Sequence, residues 1–217
     1  MNKIRTREQL YDQISAQLAW RKKELANLSF LLQKHSLSAS KKRVLIRCMI
    51  TLLYAHWEGF IKNSSSAYVS YVSNKNLLNM ELSENFLALS MSNLLMQAFQ
   101  SKKVQDHIKV INFFQSEMET KSHIIYKNII SSDSNLSSKV LKEIVDRLGF
   151  DYSEYSTKEK LIDEKLLKFR NSVAHGEQID YQITVDEVMA LRKKIIDLME
   201  FFTKQIDGAV TTKAYKA

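Results

Sequence analysis

Apolar residues recur at helical spacing along most of this chain, and polar signals mark where the helices start and stop. Thr6-x-x-Gln9 has the form of a capping box and predicts a long helix through about Lys34. Leu10, Ile14, Leu18, Leu25, Leu28, Leu31 and Leu32 form its apolar side. The segment His35–Ser40 reads as a connector, and a second helix is expected from about Lys41 to at least Lys62, with continuation toward Tyr71. That helix is apolar nearly all round. Leu45, Cys48 and Leu52 lie on one side, while Ile46, Met49, Ile50, Leu53, Trp57 and Phe60 fill another, so it belongs in the middle of a bundle. One polar stripe interrupts it: Arg43, Arg47, Thr51, Tyr54, Glu58 and Lys62. It could face solvent, a partner subunit or a substrate groove.

Further along, Glu84–Phe99, Val104–Met118 and Ser137–Leu148 show helical spacing, with a polar loop at Ser131–Ser138 and a stop signal at Gly149. Ser156-x-x-Glu159 predicts a helix running to about Ala174, and Thr184-x-x-Glu187 a last one to about Asp207. No repeat and no convincing strand pair appears. The expectation is an all-α fold, a single helical bundle of about six or seven helices over residues 1–217, led by a long N-terminal helix pair.

Composition supports that reading. The 217 residues are 45% apolar and 26% charged, with four glycines, one cysteine and no proline, which excludes disordered, collagenous and disulfide-stapled classes. The most apolar run, Val44–Ile61, carries Arg47, His56 and Glu58. A charge near the centre of a membrane helix costs about 2.5–3.5 kcal/mol, so a buried helix and no membrane association are expected. The first residues lack the apolar core of a secretion signal, and Cys48 reads as a small buried hydrophobe, so the expected compartment is cytoplasmic.

Charge adds a further distinction. Residues 1–47 hold eleven Lys/Arg against three Asp/Glu and so contain the whole net charge of +8; the rest of the chain balances. The basic clusters include Arg21, Lys22 and Lys23, then Lys41, Lys42, Arg43 and Arg47. Such an excess suits a polyanion, with nucleic acid the first choice, or else a simple solvated face.

Much chemistry is missing. There is no phosphate-cradling glycine loop and no metal-ligand spacing, so neither a cofactor nor a metal is expected. His56-Trp57-Glu58 resembles half of a zinc deaminase motif, but one cysteine and no proline cannot supply the other half. His56 reads as either a buried, hydrogen-bonded histidine or a catalytic one. What is left is Glu164–Glu177, EKLLKFRNSVAHGE. Ile162, Leu166, Phe169 and Val173 would anchor this helix, while its end gathers Arg170, Asn171 and His175, with Asp163 and Glu164 two turns before. A neutral imidazole can take or give a proton, and a guanidinium can hold phosphate oxygens. The same residues could instead cap the helix through its dipole.

RNSVAHGE resembles the R-x4–6-H signature of the HEPN superfamily, with Arg170, Asn171 and His175 matching its arginine, polar residue and histidine. The segment Leu52–Lys62, LLYAHWEGFIK, further resembles a bacterial HEPN-like nuclease subfamily with an A-H-W-E-G-F-like motif. The resemblance covers nearly the whole chain, although about 64–156 contributes little to it. It implies a metal-independent endoribonuclease acting as a homodimer with a composite cleft, and a toxin or a defence effector against phage or mobile DNA. An antitoxin or another regulatory partner would then restrain it. In this reading His175 is the acid/base group, Arg170 the phosphate clamp and Asn171 a positioning residue. Glu164, Glu58 and His56 would play supporting parts. The alternatives are a non-catalytic HEPN module that binds RNA, nucleotide or a partner protein, and a helical scaffold with no nucleic-acid role.

Overall fold

Capping chemistry sets where the long helices begin. The computed structural model describes residues 3–124, 135–177 and 183–217. In α1 (Arg7–Leu32) the Thr6 hydroxyl accepts from the Gln9 amide, and the Gln9 side chain accepts from the Thr6 amide, as the spacing predicts. Ser38 caps α2 (Ala39–Ser73), which runs for 35 residues. Thr184 and Glu187 cap α9 (Val185–Thr212) reciprocally. These three helices pack against one another and form the body of the protein, with Leu25, Leu53, Trp57, Phe60, Ile195, Met199 and Phe202 fully buried among them.

Shorter segments complete the architecture. They are α3 (Glu84–Ser90), α4 (Ser92–Gln100), α5 (Val104–Asn112), α6 (Ser138–Arg147), α7 (Ser153–Ser156) and α8 (Lys168–Ala174). π turns at Phe113–Glu117 and Leu161–Leu167 extend α5 and precede α8. Among the described residues there are isolated bridges but no strand, so the fold is all-α as expected. An aromatic group joins α2, α3, α9 and the turn after α6: Tyr68 meets Phe86 and Phe150, and Phe150 meets Phe202, with ring centroids 5.5–5.8 Å apart. Gly149, at φ +71°, supplies the left-handed turn that ends α6.

Several boundaries differ from the periodic reading. The stretch expected as one helix from Glu84 to Phe99 is interrupted at Met91, which is itself 3% exposed, and resumes as α4. Ser156 does not cap a helix: its hydroxyl donates to the Ser153 carbonyl, and Glu159 accepts instead from Tyr152. Half of the polar loop at Ser131–Ser138 lies outside the described residues. Cys48 is exposed, not buried as expected: Leu45 and Leu52 on the same side of α2 are only partly buried, so that side faces water in part. Helix α2 is also long and apolar enough to cross a membrane by composition, yet much of its apolar surface is buried against α1 and α9.

Truncating a side chain at the centre of the three-helix body tests this packing. Leu53→Ala is expected to lower the unfolding free energy by about 2–5 kcal/mol, measured by urea denaturation followed by circular dichroism.

Candidate active site

Helix α8 is held from beneath by Ile162 and Leu166, both fully buried. The predicted apolar stripe continues through Phe169 and Val173, but these are only half-buried. The π turn at Leu161–Leu167 is wider than an α turn, so the stripe rotates off the core before the helix ends. That rotation carries the polar face of α8 onto the polar stripe of α2.

The two faces meet at Arg170. Its guanidinium carbon lies 4.7 Å from the centre of the Tyr54 ring, and its Nη1 donates to Oδ1 of Asn171 at 2.8 Å and of Asn135 at 2.9 Å. Tyr54 is itself pinned, since its hydroxyl accepts from the buried Leu136 amide at 2.7 Å. Burial, reinforced by the nearby Glu58 carboxylate, pushes the Tyr54 phenol up to about 12, so it stays neutral under the cation. Glu58 is paired with Lys62 at 2.7 Å. Asp163 accepts from the amide and hydroxyl of Ser138, which anchors the start of α6 beside Asn135.

His175 sits at the C-terminal end of α8, exposed, with its amide donating to the Asn171 carbonyl at 2.9 Å. Gly176 follows at φ +72°, and the Glu177 carbonyl accepts from Arg47 Nη1 at 3.0 Å. The turn that presents His175 is thus tied to α2 at one end and by Arg170 at the other. His175 lies five positions after Arg170, which places the two about 140° apart around the helix axis.

Other expected site residues are arranged differently. Asn171 holds Arg170 directly, not the imidazole. Glu164 is exposed and makes no hydrogen bond or ion pair among the described residues. His56 points the opposite way from Glu58, toward α1, where its ring is buried, lies 2.8 Å from a Glu24 carboxylate oxygen and meets the edge of Trp20 at 5.0 Å. Burial lowers its pKa, with Arg21 acting in the same direction and Glu24 opposing.

The basic cluster on α1 divides. Arg21 is 4% exposed, donates to the carbonyls of His56 and Gln17, and lies 4.3 Å from the Trp20 ring, so it is a structural cation and not a nucleic-acid contact. Gly59 lets it approach: a Cβ there would come within 3.1 Å of its Nη2. Lys22 pairs with Glu200 at 2.6 Å. Lys23, Lys41 and Arg43 face water, Lys42 does so in part, and Arg47 caps the turn after His175. Among the described residues no group of His, Cys, Asp and Glu could hold a metal ion.

Two contributors escaped the sequence reading. Tyr54 was visible only as one member of a polar stripe, and Asn135 lies in a loop with no periodic signal.

A sequence model of the HEPN_MAE_28990-like HEPN family matches residues 10–215. No curated protein and no solved structure matches the chain.

The buried His56 makes stability depend on pH. Its ordinary pKa of 6.5 holds in the unfolded chain and is lowered on folding. The unfolded state therefore binds more protons below that value, and stability falls as pH drops through about 6.5, levelling off beneath the folded pKa. Urea midpoints at about pH 7.5 and 5.5 are expected to show this loss, and His56→Asn is expected to reduce it.

Proposed function

The chain belongs to the HEPN_MAE_28990-like HEPN family, and on that premise we propose that it is a metal-independent endoribonuclease whose reacting groups are His175 and Arg170. The observation that carries this reading is the guanidinium of Arg170, fixed between the Tyr54 ring and two amide oxygens, at the end of the helix that presents an exposed His175. A fixed guanidinium needs no reordering to stabilise the added charge of a phosphorane-like transition state. An exposed imidazole is free to reach a ribose hydroxyl.

In this mechanism one imidazole takes the proton of a ribose 2′-hydroxyl as the oxygen attacks the adjacent phosphorus. The 5′-oxygen leaves with a proton from a second acid, giving a 2′,3′-cyclic phosphate and a 5′-hydroxyl. Arg170 and His175 diverge around α8, so one chain does not aim both at a single phosphate. A homodimer with the motifs facing each other supplies the missing group from the second copy. Glu58 acts through Tyr54 by keeping the phenol protonated, and His56 supports the α1–α2 packing. RNA enters over the exposed cations Lys23, Lys41 and Arg43, with the partly exposed Lys42 beside them. The setting is a toxin or phage-defence effector in the cytoplasm, restrained by a partner protein.

A second reading has its own support. The Nη1 of Arg170 is already shared by Asn135 and Asn171, as in a structural arginine, which favours a non-catalytic module that binds RNA or a partner.

Incubation with total RNA in EDTA separates the two. Cleavage with cyclic-phosphate ends is expected, reduced on the order of 10²–10⁴-fold in His175→Ala and in Arg170→Lys. No turnover by folded wild-type protein would leave the binding module. Reversing Lys41, Lys42 and Arg43 to Glu is expected to weaken RNA binding and flatten its dependence on salt between about 50 and 200 mM, as read by fluorescence anisotropy.

A further inference from the structure

The π turn at Leu161–Leu167 and α8 both pack on α2, but they approach α9 closely at few points. Between them and α9 lies a cavity of about 290 Å3, at the small end of ligand pockets, which run from roughly 300 to 1,000 Å3. Its apolar lining comes from four parts of the fold: Ile50 of α2, Leu161 of the π turn, Phe169 of α8, and Ile183, Val188 and Leu191 at and just before the start of α9. Ile50, Val188 and Leu191 are buried, whereas Leu161, Phe169 and Ile183 are only partly covered, so the cavity has a closed end and an open one. A π turn is wider than an α turn and recurs at functional sites. Here it carries Phe169 off the core and leaves the space beside it unfilled.

The rest of the lining is Lys165, Glu187, Ala190 and Lys194, all four exposed and therefore at the open end. The Glu187 carboxylate is already engaged: its Oε2 accepts from the Thr184 amide at 2.8 Å and from the Thr184 hydroxyl at 2.9 Å, as the cap of α9. Those bonds, with a smaller contribution from the Lys165 charge, lower its pKa and keep it ionised. Lys194 stands seven residues, about two turns, further along α9. Neither lysine makes a hydrogen bond or an ion pair among the described residues. Two ammonium groups against one carboxylate leave a net positive charge at the mouth of an apolar space.

We infer that this cavity binds an amphipathic monoanion, a medium-chain fatty carboxylate, with its alkyl chain among the six apolar side chains and its carboxylate on Lys194 and Lys165. The lining selects this chemistry. The six apolar side chains offer no hydrogen-bonding atom, so a sugar or a heterocycle would lose its bonds to water without replacement. A neutral hydrocarbon gains nothing from the lysines, and a cationic amphiphile is repelled by them. Arg170, Tyr54 and His175 do not line the cavity, so the assignment does not depend on the nuclease reading.

Isothermal titration calorimetry of the full chain with decanoate tests it. Saturable binding of one decanoate per chain is expected, with the negative heat-capacity change of apolar burial. Decanol is expected to bind at least tenfold more weakly, and decylammonium not at all. Ala190→Phe puts a larger side chain into the space from an exposed position, and is expected to keep the helicity and lose at least tenfold in decanoate affinity. Lys165→Ala with Lys194→Ala is expected to bring decanoate down to the affinity of decanol. A wild type that takes up no decanoate at millimolar concentration would overturn the site. So would uptake unchanged by Ala190→Phe, which is the result if decanoate merely coats the exposed apolar side chains of α4 and α5. Equal affinities of the wild type for decanoate and decanol would overturn the role of the two lysines.

Discussion

The contact between the Arg170 guanidinium and the Tyr54 ring, 4.7 Å from cation to ring centre, joins the polar stripe of the core helix to the motif on α8. On one side of it stand Leu136 and Asn135, which fix the chain entering α6. On the other stands Asn171, whose carbonyl holds the His175 amide. Loss of that contact would loosen the junction where α8, α2 and the chain entering α6 meet. A cation over a neutral ring suits the place. The phenol is too buried to ionise, and a carboxylate in its position would neutralise the charge that the site depends on.

Helix α2 serves two purposes because its faces differ. Ile46, Met49, Ile50, Leu53, Trp57 and Phe60 disappear into the body, whereas Arg47, Tyr54 and Glu58 line the surface that receives α8. The A-H-W-E-G-F-like segment is therefore split between two functions. Its histidine joins α1 through Glu24, its tryptophan fills the core, its glutamate supports the tyrosine, and its glycine admits the Arg21 guanidinium. Side chains adjacent in sequence point 100° apart, so a compact motif on a helix need not mark one compact site.

The basic excess of the first 47 residues likewise resolves into unlike parts. Arg21 is internal, Lys22 is an ion pair to α9, Arg47 is a cap, and among the clustered cations Lys23, Lys41, Lys42 and Arg43 present charge to water. Cations on a long side chain reach whatever acceptor the fold brings near, and counting charges along the chain does not reveal which acceptor that is.

By itself the sequence determined the helical class, the starts of α1 and α9, the burial of α2, and the placing of Arg170, Asn171 and His175 at a helix end, because periodicity and capping are local and survive in one dimension. Only the tertiary structure decided the break at Met91, the turning of His56 away from Glu58, the burial of Arg21 and the exposure of Cys48. It alone brought Tyr54 and Asn135 to Arg170, across 116 and 35 positions of chain. Those outcomes depend on which faces meet once helices pack, and a side chain's partner in space leaves no periodic trace in the residues around it.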